Sequence, residues 1–215
     1  MIIPVSGNNR PSGDEMSIEI DHKNRKKIIL QKALLLFAEQ GYASVTFQKI
    51  ANNCGMSRTT LYRYFADKRE ILDESIHNFF APMLQIQCGI AAQKNRSAHN
   101  RLTEVLKTAI DSLFAERTLL IKIMEYLLTR KNTGEEISSK IIRHTLTLRL
   151  LMHRLLVEGI KNGEFHPCNL RIANNLLYSQ LETLTFRLIM LGDTDREETS
   201  EMLSNILLGL QAHEK

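Results

Sequence analysis

The sequence predicts an all-α protein in which a small N-terminal three-helix unit is joined to a larger helical body. Three observations predict it. Apolar residues recur at spacings of three and four along most of the chain, no segment shows the alternation of a strand, and two short helical stretches meet at a glycine turn near residue 55. No internal period of the kind that builds a solenoid is present.

The elements follow in order. Residues 1–20 contain Pro4, Gly7, Asn8, Asn9, Pro11, Ser12 and Gly13 and are expected to form a flexible tail. From Lys23, a stripe of Ile29, Ala33, Leu36 and Phe37, widened by Ile28, Leu30 and Leu34, predicts a helix that Gly41 ends. Thr46 is an N-cap candidate for a short helix that buries Ile50 and Ala51. Asn53-Cys54-Gly55 breaks that helix, and Ser57 offers a second cap before a helix running to Phe65. Leu61 and Phe65, four apart, share its inward face, whereas Arg58, Thr59, Tyr62 and Arg63 fall on outward faces. This is helix-turn-helix geometry. Asp67 can cap the next helix, whose apolar positions include Ile71, Leu72, Ile76, Phe79 and Phe80; further helices are predicted near 98–115, 117–131, 136–162, 169–191 and 195–212.

Charge separates the two units. Residues 21–70 hold ten lysines and arginines against four acids, while residues 71–215 carry 17 of each sign. A basic segment beside a neutral body is the footprint of a phosphate-binding module, although a charge run alone also describes a solvated helix face. Cys54, Cys88 and Cys168 are odd in number and lack the paired spacings of a zinc site or disulfide framework, so no metal is expected and a reducing, cytoplasmic setting is. Met1-Ile2-Ile3-Pro4-Val5 is too short for a secretory leader, and no stretch approaches the about 18 apolar residues of a membrane span. Nor is there a Gly-rich phosphate loop, a nucleophile motif or a catalytic constellation, so the sequence argues against an enzyme and implies no cofactor.

The segment from Gly41 to Lys68 resembles the signature of the TetR/AcrR family of bacterial helix-turn-helix transcriptional regulators. The resemblance rests on Gly41-Tyr42, Ile50-Ala51, the turn Gly55-Met56-Ser57, the run Thr60-Leu61-Tyr62-Arg63-Tyr64-Phe65, and Lys68. Phe47, Cys54, Thr59 and Arg69 depart from it, standing where the family commonly has threonine, alanine, glycine or proline, and glutamate.

The resemblance implies that Ser57 starts a recognition helix lying in the major groove of double-stranded DNA. Arg58 can donate two hydrogen bonds to a guanine edge, and Thr59, with Thr60 beside it, can touch a base edge or a thymine methyl. Tyr62, Tyr64 and Lys68 would hold phosphates, as would Thr46, Gln48 and Lys49 at the groove's edge. Thr46 is also explained by its cap alone, Tyr64 by packing against the first helix, and Arg63 by pairing with an acid instead of a phosphate.

For the body the resemblance is one of architecture: a helical ligand-binding and dimerisation domain. The expected organisation is therefore a tail at 1–20, a DNA-binding domain at 21–67, and a regulatory domain at 68–215. Leu177, Leu181, Leu184 and Leu188, with Leu203, Ile206, Leu207 and Leu210, are the expected homodimer interface, the alternative being burial within one chain. Phe114, Tyr126, His144, Met152 and Tyr178 are candidates for a small-molecule pocket. Two-fold symmetry would match a palindromic operator. The function expected is a dimeric repressor released by a small-molecule effector; the competing reading is a DNA-bound adaptor with a sealed core and an exposed apolar surface for a protein partner.

Overall fold

The computed structural model describes residues 13–134, 139–192 and 194–212, with side-chain surroundings for 21–134, 142–192 and 194–212. Nine helices lie among the described residues: α1 Gly13–Gln40, α2 Phe47–Asn53, α3 Arg58–Tyr62, α4 Lys68–Ala91, α5 Ala98–Ala115, α6 Arg117–Asn132, α7 Ser139–Lys161, α8 Leu170–Met190 and α9 Arg196–Leu208. The fold is all-α; between the helices of the described residues there is no strand, only an isolated antiparallel bridge between Phe165 and Gln211. No helix of the described residues is long and apolar enough to cross a membrane.

The two ends of the helical chain differ from the sequence reading. Residues 13–20, expected in the tail, are the first turns of α1. A helix nucleated by its packed stretch extends at little further cost. The rest of the expected tail, residues 1–12, lies outside the described residues. The last helix ends at Leu208, because Gly209 caps it and the following chain turns to pair with the α7–α8 connection, Ala212 N–H donating to Glu164 O at 3.1 Å.

Side-chain caps mark the starts of α2, α3 and α4. Thr46 accepts from Lys49 N–H, Ser57 from Thr60 N–H and Asp67 from Glu70 N–H. Each satisfies a backbone donor that the first turn leaves unpaired. Gly41 and Gly55 have φ of +76° and +68°, a left-handed backbone that L side chains rarely adopt, so the chain can turn sharply after α1 and between α2 and α3.

The buried apolar residues form two clusters. The head cluster joins Ile29, Ala33 and Phe37 of α1 to Ile50, Leu61 and Phe65, and it continues into Ile71, Leu72 and Ile76 of α4 and Ile123 and Tyr126 of α6. The body cluster packs Leu102, Leu106 and Ile110 of α5 against Met152, Leu155 and Leu156 of α7, Leu177, Leu181, Leu184 and Leu188 of α8, and Leu203 and Leu207 of α9. α4 belongs to both: its first turns complete the head and Ile90 enters the body. The expected boundary after residue 67 thus falls at the start of α4, whose first turns pack with the head. Between those two ends stands Pro82, which withdraws one backbone hydrogen bond from the helix interior.

Buried polar side chains tie the helices together. In the head, Ser75 donates to Leu30 O at 2.9 Å, and Lys26 pairs with Glu74 at 2.7 Å, locking α1 to α4. In the body, Arg101, 1% exposed, donates to Ala91 O at 2.8 Å and to Glu158 Oε1 at 2.6 Å. The Arg101 and Lys94 hydrogen bonds hold the Glu158 carboxyl down to about 2. An ionised pair with its remaining donors on backbone carbonyls meets the condition for a charge to sit inside a protein.

Candidate nucleic-acid interface

The polar surface of the head is built on α2, α3 and the start of α4. Burial of Leu61 turns the opposite side of α3 outward, and Arg58, Thr59 and Tyr62 are exposed there, with Arg63 at its C-cap. Arg58 Nη2 donates to Tyr62 Oη at 3.0 Å, and the guanidinium lies 5.5 Å from the Tyr62 ring centre. Phe47 stacks beneath the same ring, centroids 4.4 Å apart. Phe47, a departure from the family pattern, is thus a buried support that orients Tyr62, and through it Arg58. Thr60 is half-buried, and its N–H and hydroxyl both meet the Ser57 hydroxyl. Ser57 and Thr60 therefore hold the start of α3 together.

The α3 helix stops at Tyr62, three residues short of the expected end at Phe65, because the chain must turn before α4. Ala66 N–H donates to Glu70 while Glu70 N–H donates to Asp67, a reciprocal cap that fixes this corner. Phe65 remains buried, and Tyr64, half-buried, stacks on His22 of α1 with centroids 4.5 Å apart. His22 had no mark in the sequence, since the stack joins residues 42 positions apart.

Lysines flank this surface. Lys49 Nζ donates to Gln40 Oε1 and to Ser44 O, both at 3.0 Å. Lys68 Nζ donates to Tyr42 O at 2.8 Å and stands 4.2 Å from the Tyr42 ring centre; burial lowers its pKa. Both cations are therefore held by the turn after α1. Gln48 is exposed and donates to Asn52 Oδ1 at 2.7 Å, and the Thr46 hydroxyl is the α2 cap. Cys54 is half-buried in the turn, and that burial pushes its thiol pKa up, as suits a packing residue better than a reactive one.

The arrangement is a short capped helix with a polar outward row, flanked by cations and projecting from a compact three-helix head. Residues 29–75 match the model of the bacterial regulatory proteins of the tetR family. Over that segment, the helix-turn-helix head, the chain is similar to the tetR family. Among its relatives is the HTH-type transcriptional regulator YerO of Bacillus subtilis, 26% identical over 199 residues; the match covers 86% of this chain and 65% of that protein, just under two thirds of its length. Among solved structures, a TetR transcription regulator from Haloarcula marismortui superposes with a TM-score of 0.76 at 18% identity, covering 88% of this chain and 99% of that one. The FadR regulator of Bacillus subtilis, solved in complex with stearoyl-CoA, gives 0.68 at 23% identity, covering 83% and 95%. These structures share the fold, a helix-turn-helix head on a larger helical body. The matched segment is the helix-turn-helix end of the chain, and the relative that matches most of its length is an HTH-type transcriptional regulator.

The residues expected to line one effector pocket are dispersed. Phe114, Met152 and Tyr178 belong to the body cluster or pack against it. His144 stacks on Phe80 of α4 at 4.5 Å, where burial, assisted by His77, holds its pKa down to about 4. Tyr126 belongs to the head cluster. Its hydroxyl accepts from Arg130 at 3.1 Å and lies 3.3 Å from Asp73 Oδ1, and burial followed by the Asp73 charge pushes its pKa up. The sequence missed Gln87, 2% exposed on α4, whose Oε1 is buried without a hydrogen-bond partner. A glutamine in a helical pattern carries no mark of burial.

The expected dimer stripe is also placed differently. Leu177, Leu181, Leu184, Leu188, Leu203 and Leu207 are buried in the chain's own core, and Ile206 and Leu210 are half-buried against it. Periodicity found an apolar stripe but could not say what it faces. A second apolar set, Ile172, Leu176, Phe186 and Met190 of α8 and Met202 and Leu208 of α9, is 44–65% exposed on the outer side.

Proposed function

We propose that the chain is a tetR-family regulator, a dimeric repressor that binds a palindromic operator and leaves it when a small molecule binds the helical body. One observation carries the DNA-reading assignment: the exposed row Arg58, Thr59 and Tyr62, oriented from beneath by Phe47 and held at its start by the Ser57 cap, within the basic segment. In this reading Arg58 and Thr59 face base edges, while Tyr62, Tyr64, Lys49 and Lys68 hold phosphates, with Thr46, Gln48, Thr60 and Arg63 beside them. The exposed apolar residues of α8 and α9 support a two-fold contact between two chains, since large apolar side chains left in water on two packed helices favour association. Stearoyl-CoA in the solved FadR relative makes an acyl-CoA the first effector to test, and the unpartnered Gln87 oxygen is a polar group able to meet one inside the body.

The test is selection of bound duplexes from a random DNA pool. An enriched palindrome with half-sites about one helical turn, roughly 34 Å, or a multiple apart supports the proposal. Binding only at low salt and without enrichment would overturn it.

A further inference from the structure

We infer that the junction between head and body is itself a regulatory site, a cleft for a compact, uncharged and largely apolar molecule that acts on the DNA-facing cations. The inference rests on the DNA-binding reading and not on an effector inside the helical body.

The cleft encloses about 450 Å³ between the end of α1, the turn after it, and α6. That volume lies in the range of small-molecule sites. Leu34, Phe37, Leu72 and Ile123 form an apolar floor, with the Tyr42 and Tyr126 rings set 5.0 Å apart. The Tyr126 hydroxyl is engaged with Arg130 and Asp73, so an occupant meets its ring. On the rim, Lys122 pairs with Glu125 at 3.0 Å and leaves no net charge to select an ion. Apolar floor and neutral rim together favour an uncharged occupant.

The turn connects this cleft to the DNA face. Gln40, Tyr42 and Ser44 line the cleft, and the same residues hold Lys49 and Lys68 through the Gln40 amide oxygen and the Ser44 and Tyr42 carbonyls. An occupant that pushes this turn outward therefore displaces both cations from the positions in which they flank α3. Operator affinity falls, and its dependence on salt flattens as phosphate contacts are lost.

N-phenyl-1-naphthylamine, an uncharged fluorescent probe, tests this in the full chain. Saturable binding is expected. Filling the cleft with Ala38→Trp from α1 or Thr129→Trp from α6 should weaken it by about tenfold or more, while Tyr178→Ala in the body leaves it within about twofold. Thr129 is exposed, so its variant keeps the test open if Ala38→Trp does not fold. Saturating probe should lower affinity for the selected duplex by about threefold or more in the natural chain and leave Thr129→Trp unaffected. Non-saturable binding, insensitivity to Thr129→Trp, loss on Tyr178→Ala, or cleft binding that leaves DNA affinity unchanged would each overturn the inference. Operator selection is scored without probe, so failure of the DNA reading appears separately.

Discussion

Arginine does opposite work in the two regions of this molecule. In the head, Arg58 is exposed and, among the described residues, bonds to Tyr62, which leaves donors for a partner outside the chain. In the body, Arg101 is buried and spends its donors on carbonyls and on Glu158, riveting the α4–α5 corner to α7. The head keeps its chemistry on the surface over a small apolar core. The body uses charge internally to fix its helices, as the Arg130–Asp73 pair does where α6 meets the base of the head. A substitution on the outward row of the head should therefore change what is bound with little change in stability, and the reverse should hold for the buried pair of the body.

The largest expected effect is Glu158→Ala, which leaves the Arg101 guanidinium buried without its counter-charge. A loss of about 3–5 kcal/mol in denaturant titrations is expected. A loss within experimental scatter would show that Arg101 finds water when its partner is removed. Acid should sharpen the contrast. His144 is held at about 4 in the folded chain against an ordinary 6.5, so between those values the unfolded chain takes up a proton that the folded chain refuses. Stability should fall as pH drops through that interval, by up to about 1.4 kcal/mol per unit, with no contribution from this group above it. Thermal melts of His144→Gln across the same range should show a shallower slope; an unchanged slope would place the titration elsewhere.

In the head, Arg58→Ala should cost about 1–3 kcal/mol of operator affinity at one base position and relax specificity there, with unfolding little altered. Competition between the selected duplex and single-base variants measures it, and an equal loss on every sequence would make Arg58 a phosphate contact instead. The smallest effect expected is Ser57→Ala. Removing the α3 cap should cost about 1 kcal/mol of stability. A much larger loss of DNA affinity than of stability would mean that the Ser57 hydroxyl itself touches DNA.

The head was largely legible in the sequence because its signals are local. Thr46, Ser57 and Asp67 act on backbone donors three residues away, and Gly41 and Gly55 supply the left-handed turns in place. The body was legible only as helices. Its breaks near 116, 133, 162 and 192 were readable, yet its partners were not, since the leucines of α8 have the same spacing whether they face a second chain or their own core.

By itself the sequence determined the all-α fold, the places of the caps and turns, the helix-turn-helix and its outward row, because these depend on short-range periodicity and on hydrogen bonds between near neighbours. Tertiary structure alone decided that Phe47 supports Tyr62, that Tyr126 of α6 belongs to the head, that the α8 leucines face inward, and that the turn holding Lys49 and Lys68 also walls a cleft. Nearly all of these are contacts between residues distant in the chain, and they are selected by the joint packing of several helices, which no single helix encodes.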